Sequence, residues 1–507
     1  MRKNLIFTLL LLAITTLSIS NLFAEPYPGT TLYGPNGSRF TYLRDLNNNL
    51  VNTWTSTRNG GYAQYMMPDG SLYRSVTTGT SFNGGGAQGM IQKLSWTGTV
   101  QWEYTYSSTT VRAHHDFCVM PNGNVLLIAW ESKTAAQCVA AGLNHSSSLW
   151  PDHIVEVQPT GSTGGVIVWE WHFWDHLVQD YDPTKANYGV VANHPELLNI
   201  NVGSTSGDWM HVNSINFNPQ RNEIVFSSHN LDEVYVIDHS TTTAEAAGHT
   251  GGARGKGGDI LYRWGRASNY GVTSSAQVFD VVHCGVWVPQ GVPGAGNIMA
   301  FNNREGTNAS MIVEIVPPMD GSGNYVLTPG SAYGPTSPTW SYAASGFYSN
   351  HLGGCQRLPN GNTIISESTS GNLFEVNSAG VVQWTYTPGG ETVRVLRYPT
   401  NYLTAVTEEG TAIAEGYKLL QNYPNPFNPT TKITYSIPKS DVVSLKIYDM
   451  MGKEVASLID NKSQTAGTYS SVWNGTDNAG NSVSSGVYFY QLITPTFNKT
   501  EKMTLMK

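Results

Sequence analysis

Four histidines recur at one position of a repeat in this chain: RAHHDFCVMPNG (His115), DWMHVNSINFNP (His211), VVHCGVWVPQG (His283) and SNHLGGCQRLPNG (His351). They precede a proline by 6, 8, 6 and 8 residues, all even separations, so on an extended strand each histidine shares a face with its proline. Imidazole can attack an electrophile, move the proton of a hydroxyl group or ligate a transition metal. A single histidine on a strand is usually a satisfied structural group. Four at equivalent positions, where a merely inherited repeat would give six, point instead to one shared site. The equivalent positions in the first and last copies are Tyr62 and Thr392.

Convergence needs a ring of repeats, and the sequence supplies one. A hairpin ending in tryptophan occurs six times, at Trp54, Trp102, Trp169, Trp264, Trp340 and Trp384. Each is followed by a hairpin turning on proline, at Pro68, Pro121, Pro219, Pro289, Pro359 and Pro399, in contexts such as MPNG and LPNG. There proline sets φ and glycine supplies a positive φ. Two hairpins make four antiparallel strands, so the expected fold class is all-β, a six-bladed β-propeller. The histidine strands would then line the channel with His115, His211, His283 and His351 at one mouth. Asn213 falls on the same face as His211, as do Ile215 and Phe217 farther along. Folding the next hairpins about their turns places His229 opposite His211 and Arg304 opposite His283. The long insert HFWDHLVQDYDPTKANYGVVANHPELLN crowds the same end.

Composition narrows the chemistry. Charged residues make up 13% of the 507, against an ordinary share of about 25%. The net charge of −8 leaves no cationic surface for a nucleic acid. His172 and His176 would have metal-like spacing on a helix, but HExxH is absent and no carboxylate is expected next to the channel histidines. Group transfer is therefore expected over metal chemistry, with no metal ligand assigned. The four cysteines form no CxxC pair; Cys118 with Cys138 is a possible loop clip, with the pairing of Cys284 and Cys355 left open.

HHDFCVMPNGNVLLI, DWMHVNSINFNPQRNEIVFSSHNLDEVYVID and CQRLPNGNTIISESTSGNLFEVNSAGVVQWTY resemble bacterial arylsulfotransferases over about residues 30 to 400, and VWEWHFWDHLVQDYD does so as well. The resemblance implies a six-bladed propeller that moves a sulfuryl group from a phenolic sulfate ester to a phenol through a sulfohistidine, with no cofactor. By position His283 matches the nucleophile, and His115, His211 and Asn213 match residues that bind sulfate and assist proton transfer. Two departures stand out. His229 occupies the place of an arginine, with Arg304 as the compensating cation and His351 as a further sulfate contact. The separate N-terminal β-domain of the family is not expected.

The N-terminus, MRKNLIFTLLLLAITTLSISNLFA, reads as a secretory signal over residues 1–24, too short in its apolar run to span a bilayer. The propeller is expected over 25–405 and a linker over 406–420. Residues 421–507, with alternating strands and Gly/Asn turns, form a small Ig-like β-sandwich. NYPNPFNP, MMGKEV and GVYFYQL make it resemble the type IX secretion sorting domain of Bacteroidetes and related phyla. That resemblance implies passage to the periplasm and then across the outer membrane, with the type IX machinery as a partner; an ordinary Ig-like binding module is the alternative. Three functions thus stand: a secreted sulfotransferase using an aryl sulfate donor and phenolic acceptor, a non-catalytic ligand-binding surface propeller, and a metal-dependent hydrolase or lyase. No transmembrane segment and no nucleic-acid partner are expected.

Overall fold

The computed structural model describes residues 25–506 apart from 80, 305–306, 401, 404–415, 423–424, 465–466 and 480. The expected signal, residues 1–24, and most of the expected linker lie outside the described residues. The chain divides into two compact units, one of Met1–Met66 with Ser71–Thr400 and one of Met67–Gly70 with Asn401–Lys507.

The first unit contains six antiparallel four-stranded sheets in chain order, a propeller-like succession. The strand Val395–Pro399 leaves the last sequence repeat to pair with Gly29–Tyr33, so the first sheet is sewn together from both ends of the unit. The central strands read as nearly continuous apolar runs, VLLIAW at 125–130 and EVYVID at 233–238, because sheets cover them on both faces. Proline turns close the inner hairpins as the sequence requires. Gly123 and Gly361 sit at φ values of +86° and +88°, and donate their N–H groups to Met120 and Leu358 at 2.9 Å.

The repeated tryptophans occupy the outermost strand of each sheet. Their indole N–H groups reach the following sheet in every case: Trp54 to Ser95, Trp102 to Gly164, Trp264 to Pro335 and Trp340 to Ser378 carbonyls, Trp169 to the Thr241 hydroxyl, and Trp384 to the Leu46 carbonyl of the first sheet. The repeat is thus a ring of six inter-sheet hydrogen bonds. A buried indole left without one would cost about 1–3 kcal/mol, which explains why tryptophan marks this position.

The four cysteines are free thiols. The Cys118–Cys138 clip does not form, because Cys138 is buried on the short helix Ala135–Ala140 with its Sγ 3.8 Å from the Lys133 carbonyl, while Cys118 Sγ faces the Val119 carbonyl. Cys284 and Cys355 bring their Sγ atoms to 4.0 Å.

The second unit holds a three-stranded sheet (Lys418–Leu419, Thr431–Ile437, Gly467–Trp473) and a four-stranded one (Glu454–Gln464, Asp441–Tyr448, Gly486–Ile493, Asn498–Leu505). Alternate residues of these strands, among them Ile433, Tyr435, Leu445, Ile447, Tyr490 and Leu492, share one core. Among the described residues, no helix is long and apolar enough to cross a membrane.

Candidate active site

The inner strands of the third, fourth and fifth sheets break their ladders where the histidines stand. The register shifts between Ala113 and Phe117, between Val212 and Ser214, and between His283 and Val286. His115, His211 and Cys284 take φ values of +48°, +55° and +55°. Such bulges re-aim side chains, so the even spacing to proline does not decide which way the rings face. The left-handed backbone does. The rings form a continuous run: His115 to His211 at 4.5 Å between centroids, His211 to His229 at 4.8 Å and His229 to His283 at 5.6 Å. Tyr62 closes the other end, 5.5 Å from His115.

Hydrogen bonds fix the tautomers. Asn303 donates its amide to the carbonyls of Ser349 and Leu352 at 2.7 and 2.6 Å, so its Oδ1 is what faces His283 Nδ1 at 2.7 Å. His283 therefore carries its proton on Nδ1 and presents an unprotonated Nε2. The Leu352 N–H directed at that nitrogen from 3.3 Å needs the same tautomer. Asn230 acts alike on His229: its amide donates to the carbonyls of Asp208 and Trp209, and its Oδ1 takes the Nδ1 proton at 2.8 Å.

His211 has a carboxylate instead. Asp208 Oδ2 lies 2.6 Å from His211 Nδ1, and its Oδ1 accepts the Trp130 indole N–H at 2.8 Å. The short parallel pairing of Leu149–Trp150 with Gly207–Asp208, where the long insert ends, positions this carboxylate. The expectation that no carboxylate neighbours the channel histidines is thus corrected, and the Asp208–x–x–His211 spacing was its signal. Behind His115, His114 brings its Nδ1 to 2.9 Å from His115 Nδ1, and its Nε2 stands 2.8 Å from Asp152 without hydrogen-bond alignment.

Burial holds these rings neutral. The pKa values of His283 and His115 are pushed well below the usual imidazole value, first by burial and then by the positive charge that His229 and His211 would carry. His229 is lowered to about 4 by the same causes, burial first and His211 second. His115, His229 and His283 are thus neutral rings at neutral pH, and the site opens to solvent where His211 and His229 are only partly covered.

Other expected residues fall elsewhere. Asn213 is buried, donating to the Val282 carbonyl at 2.7 Å and accepting from Ser227 Oγ, so its amide braces two inner strands. Asn213 is itself the bulged residue, between the paired Val212 and Ser214, so it does not keep the alternation that would put it on the face of His211. Arg304 does not stand opposite His283, which pairs with Phe301. Its backbone pairs with Asp280, and its side chain lines a separate cavity of about 730 Å3 with Gln277, Phe279 and Met311. His351 is half exposed at the rim, between Asn350 at 2.7 Å and Glu391 at 3.2 Å. Its charge still acts on His229 and His283. Thr392 is buried behind the rim, its N–H on the Ser368 carbonyl. His172 and His176 are not on a helix: His172 ends a strand and His176 follows the 3₁₀ turn Phe173–Asp175, so they take different partners.

The glycine triplet Gly84–Gly86 went unassigned in the sequence. It packs directly on the site: a Cβ on Gly86 would lie 2.3 Å from the His115 ring, one on Gly85 3.2 Å from His211 and one on Gly84 2.9 Å from Asp208 Oδ2.

The chain is similar at 11% identity to a protein of unknown function from Bacteroides caccae, covering 73% of this chain and 98% of that one, TM-score 0.40. It is also similar to a streptogramin B lyase (12%, 73% and 86%, TM-score 0.32) and to the β-propeller domain of Cps50 (Swd1) from Myceliophteria thermophila (9%, 74% and 87%, TM-score 0.34). No curated protein matches it. Residues 428–493 match the FlgD Ig-like domain. Residues 54–395, which hold the whole run of histidines, match the arylsulfotransferase (ASST) family, and the chain belongs to that family.

Proposed function

We propose that this protein is a secreted aryl-sulfate sulfotransferase that works through a sulfohistidine at His283. The observation that carries the reading is the Asn303–His283 hydrogen bond. It holds the proton on Nδ1 and leaves Nε2 as a neutral nucleophile within a run of histidines.

In the first half-reaction Nε2 attacks the sulfur of an aryl sulfate, and the bond from sulfur to the phenolic oxygen breaks. The phenolate leaves with the bonding pair and takes the Nε2 proton of His211, which enters the cycle as an imidazolium paired through Nδ1 with Asp208. In the second half, a phenol gives its proton back to His211 Nε2 as its oxygen attacks the sulfohistidine, and the N–S bond breaks. The Leu352 N–H, 3.3 Å from Nε2, is a donor for a sulfuryl oxygen once that nitrogen is bonded to sulfur. His115, against His211 and the glycine triplet, completes the wall of the anion site.

The C-terminal sandwich, with NYPNPFNP, MMGKEV and GVYFYQL, supports export by the type IX route after signal-peptide cleavage. The reading is tested by incubating the protein with 4-nitrophenyl sulfate and no acceptor, then mapping peptides by mass spectrometry. An adduct of about 80 Da, the mass of SO₃, is expected on the His283 peptide and is discharged by added phenol. Unchanged turnover in His283→Ala, with no adduct, overturns it.

A further inference from the structure

Away from the channel, His176, His249 and Asp259 bring one ligand atom each within 4.8 Å of one another. Both imidazoles aim Nδ1 at the same oxygen, Asp259 Oδ1, from 3.0 Å for His176 and 2.7 Å for His249. His176 is fully buried, and its other nitrogen, Nε2, lies 2.8 Å from the Ala246 carbonyl. A neutral imidazole has one N–H, yet both nitrogens of this buried ring face acceptors. Either the ring is a buried cation, or Asp259 is a carboxylic acid that donates to Nδ1, or a metal ion takes the place of the Nδ1 proton.

The surroundings are built for the last arrangement. A ligating imidazole ordinarily gives its remote N–H to a carbonyl, as Nε2 does here to Ala246. Trp171 stacks on the His176 ring at 5.4 Å and 10°, and its indole N–H holds the Gly258 carbonyl at 2.7 Å. Gly258 closes over the ring so tightly that a Cβ would fall 1.9 Å from the Ala246 carbonyl oxygen and 2.6 Å from His176 Nε2. His249 is more than half exposed and free to complete the set.

We infer that His176 Nδ1, His249 Nδ1 and Asp259 Oδ1 bind one divalent transition-metal ion of the zinc class, with water in the remaining position. Two imidazole nitrogens and one carboxylate oxygen suit zinc rather than calcium or magnesium. His176 comes from the long insert after the third sheet, whereas His249 and Asp259 lie in the glycine-rich connection HTGGARGKGGD of the fourth. The ion therefore clips two connections together, and the site is separate from the sulfuryl-transfer chemistry.

The test is zinc and cobalt titration of the metal-free full chain, compared with His249→Ala and with His194→Ala, an exposed histidine elsewhere. The expected results are one equivalent bound at this site with affinity reduced about 10- to 100-fold in His249→Ala alone. Zinc should also raise the thermal midpoint of the wild-type chain and of His194→Ala, but not that of His249→Ala. Visible cobalt bands of a low-coordinate N/O site are expected to vanish with the same substitution. Because the channel histidines can also take up zinc, the decisive quantity is the difference between wild type and His249→Ala. Equal stoichiometry, affinity and cobalt spectra in the two would overturn the proposal.

Discussion

Asn303 Oδ1 holds the Nδ1 proton of His283 at 2.7 Å, and Asn303 cannot turn over because two carbonyls occupy its amide. The tautomer of the proposed nucleophile is thus set by a residue beyond the end of the paired strand. Asn303→Leu removes the acceptor, leaves the Ser349 and Leu352 carbonyls unpaired and frees His283 to place its proton on Nε2. We expect kcat to fall by about 100-fold or more, with KM little changed, as when a histidine loses the partner that fixes its tautomer. Asn303→Asp keeps an acceptor toward His283 and should recover part of that loss. Steady-state kinetics of the two variants separate tautomer control from simple packing, which predicts no rescue.

His229 sits between His211 and His283 with its proton committed to Asn230, and its pKa of about 4 keeps it unprotonated at neutral pH. It then offers a sulfuryl group a lone pair rather than a donor. For the wild type, KM for 4-nitrophenyl sulfate should fall as pH drops from 7 toward 4, because protonation turns His229 into a donor. His229→Arg supplies a permanent planar cation, so its KM at pH 7.5 should be about 10-fold lower and nearly flat with pH. A flat wild-type profile, or no gain in the arginine variant, removes His229 from sulfate binding.

Gly85 and Gly86 make a paired test of how closely the loop fits the site. A Cβ on Gly86 lands 2.3 Å from the His115 ring at a φ of +73°, whereas one on Gly85 comes only to 3.2 Å of His211. Gly86→Ala should displace His115 and lower kcat/KM by about 10-fold or more, at a backbone cost of about 1 kcal/mol. Gly85→Ala should remain within a factor of about three, since the contact relaxes by a few tenths of an ångström. Equal effects would mean that His115 has no part in turnover.

The fold was legible because its determinants are local and repeated. Pro-Asn-Gly turns, the six tryptophans and alternating strands each specify a hairpin without reference to the rest of the chain. The histidines were legible for the same reason, as departures from a repeat. Their orienting partners were not. Asp208 reaches His211 through a parallel pairing with Trp150, 58 positions earlier, and Asn303 meets His283 from just past the end of the next strand, Ile298–Asn302. Arg304 was misplaced because the bulge after His283 breaks the register that simple hairpin folding assumes. Asn213 turns inward because it is itself the residue of another bulge, which no spacing rule contains.

Burying neutral histidines also fixes how stability must change with pH. His114, His115 and His283 have folded pKa values well below the unfolded value of about 6.5, with His229 at about 4 and His153 at about 3, burial being the first cause in each. Below pH 6.5 the unfolded chain takes up protons that the folded chain refuses, so folding stability is complete above that pH and declines as pH falls. His172 acts in the opposite sense, its pKa raised by the Glu131 hydrogen bond and charge against burial, but it is one group against five. Each fully contributing histidine gives a slope of about 1.4 kcal/mol per pH unit. Between pH 6.5 and 4.5 the buried Asp116, Asp152 and Asp232, whose pKa values burial raises, act in the same sense as His172 and offset part of the loss, whereas Glu131, depressed to about 2, titrates below that window. Urea midpoints measured at pH 7.5, 6.5, 5.5 and 4.5 should therefore fall progressively below pH 6.5. His229→Ala should flatten the lower part of that curve by one histidine's share, and an identical pH dependence in the variant and the wild type would show that this ring is protonated in the fold.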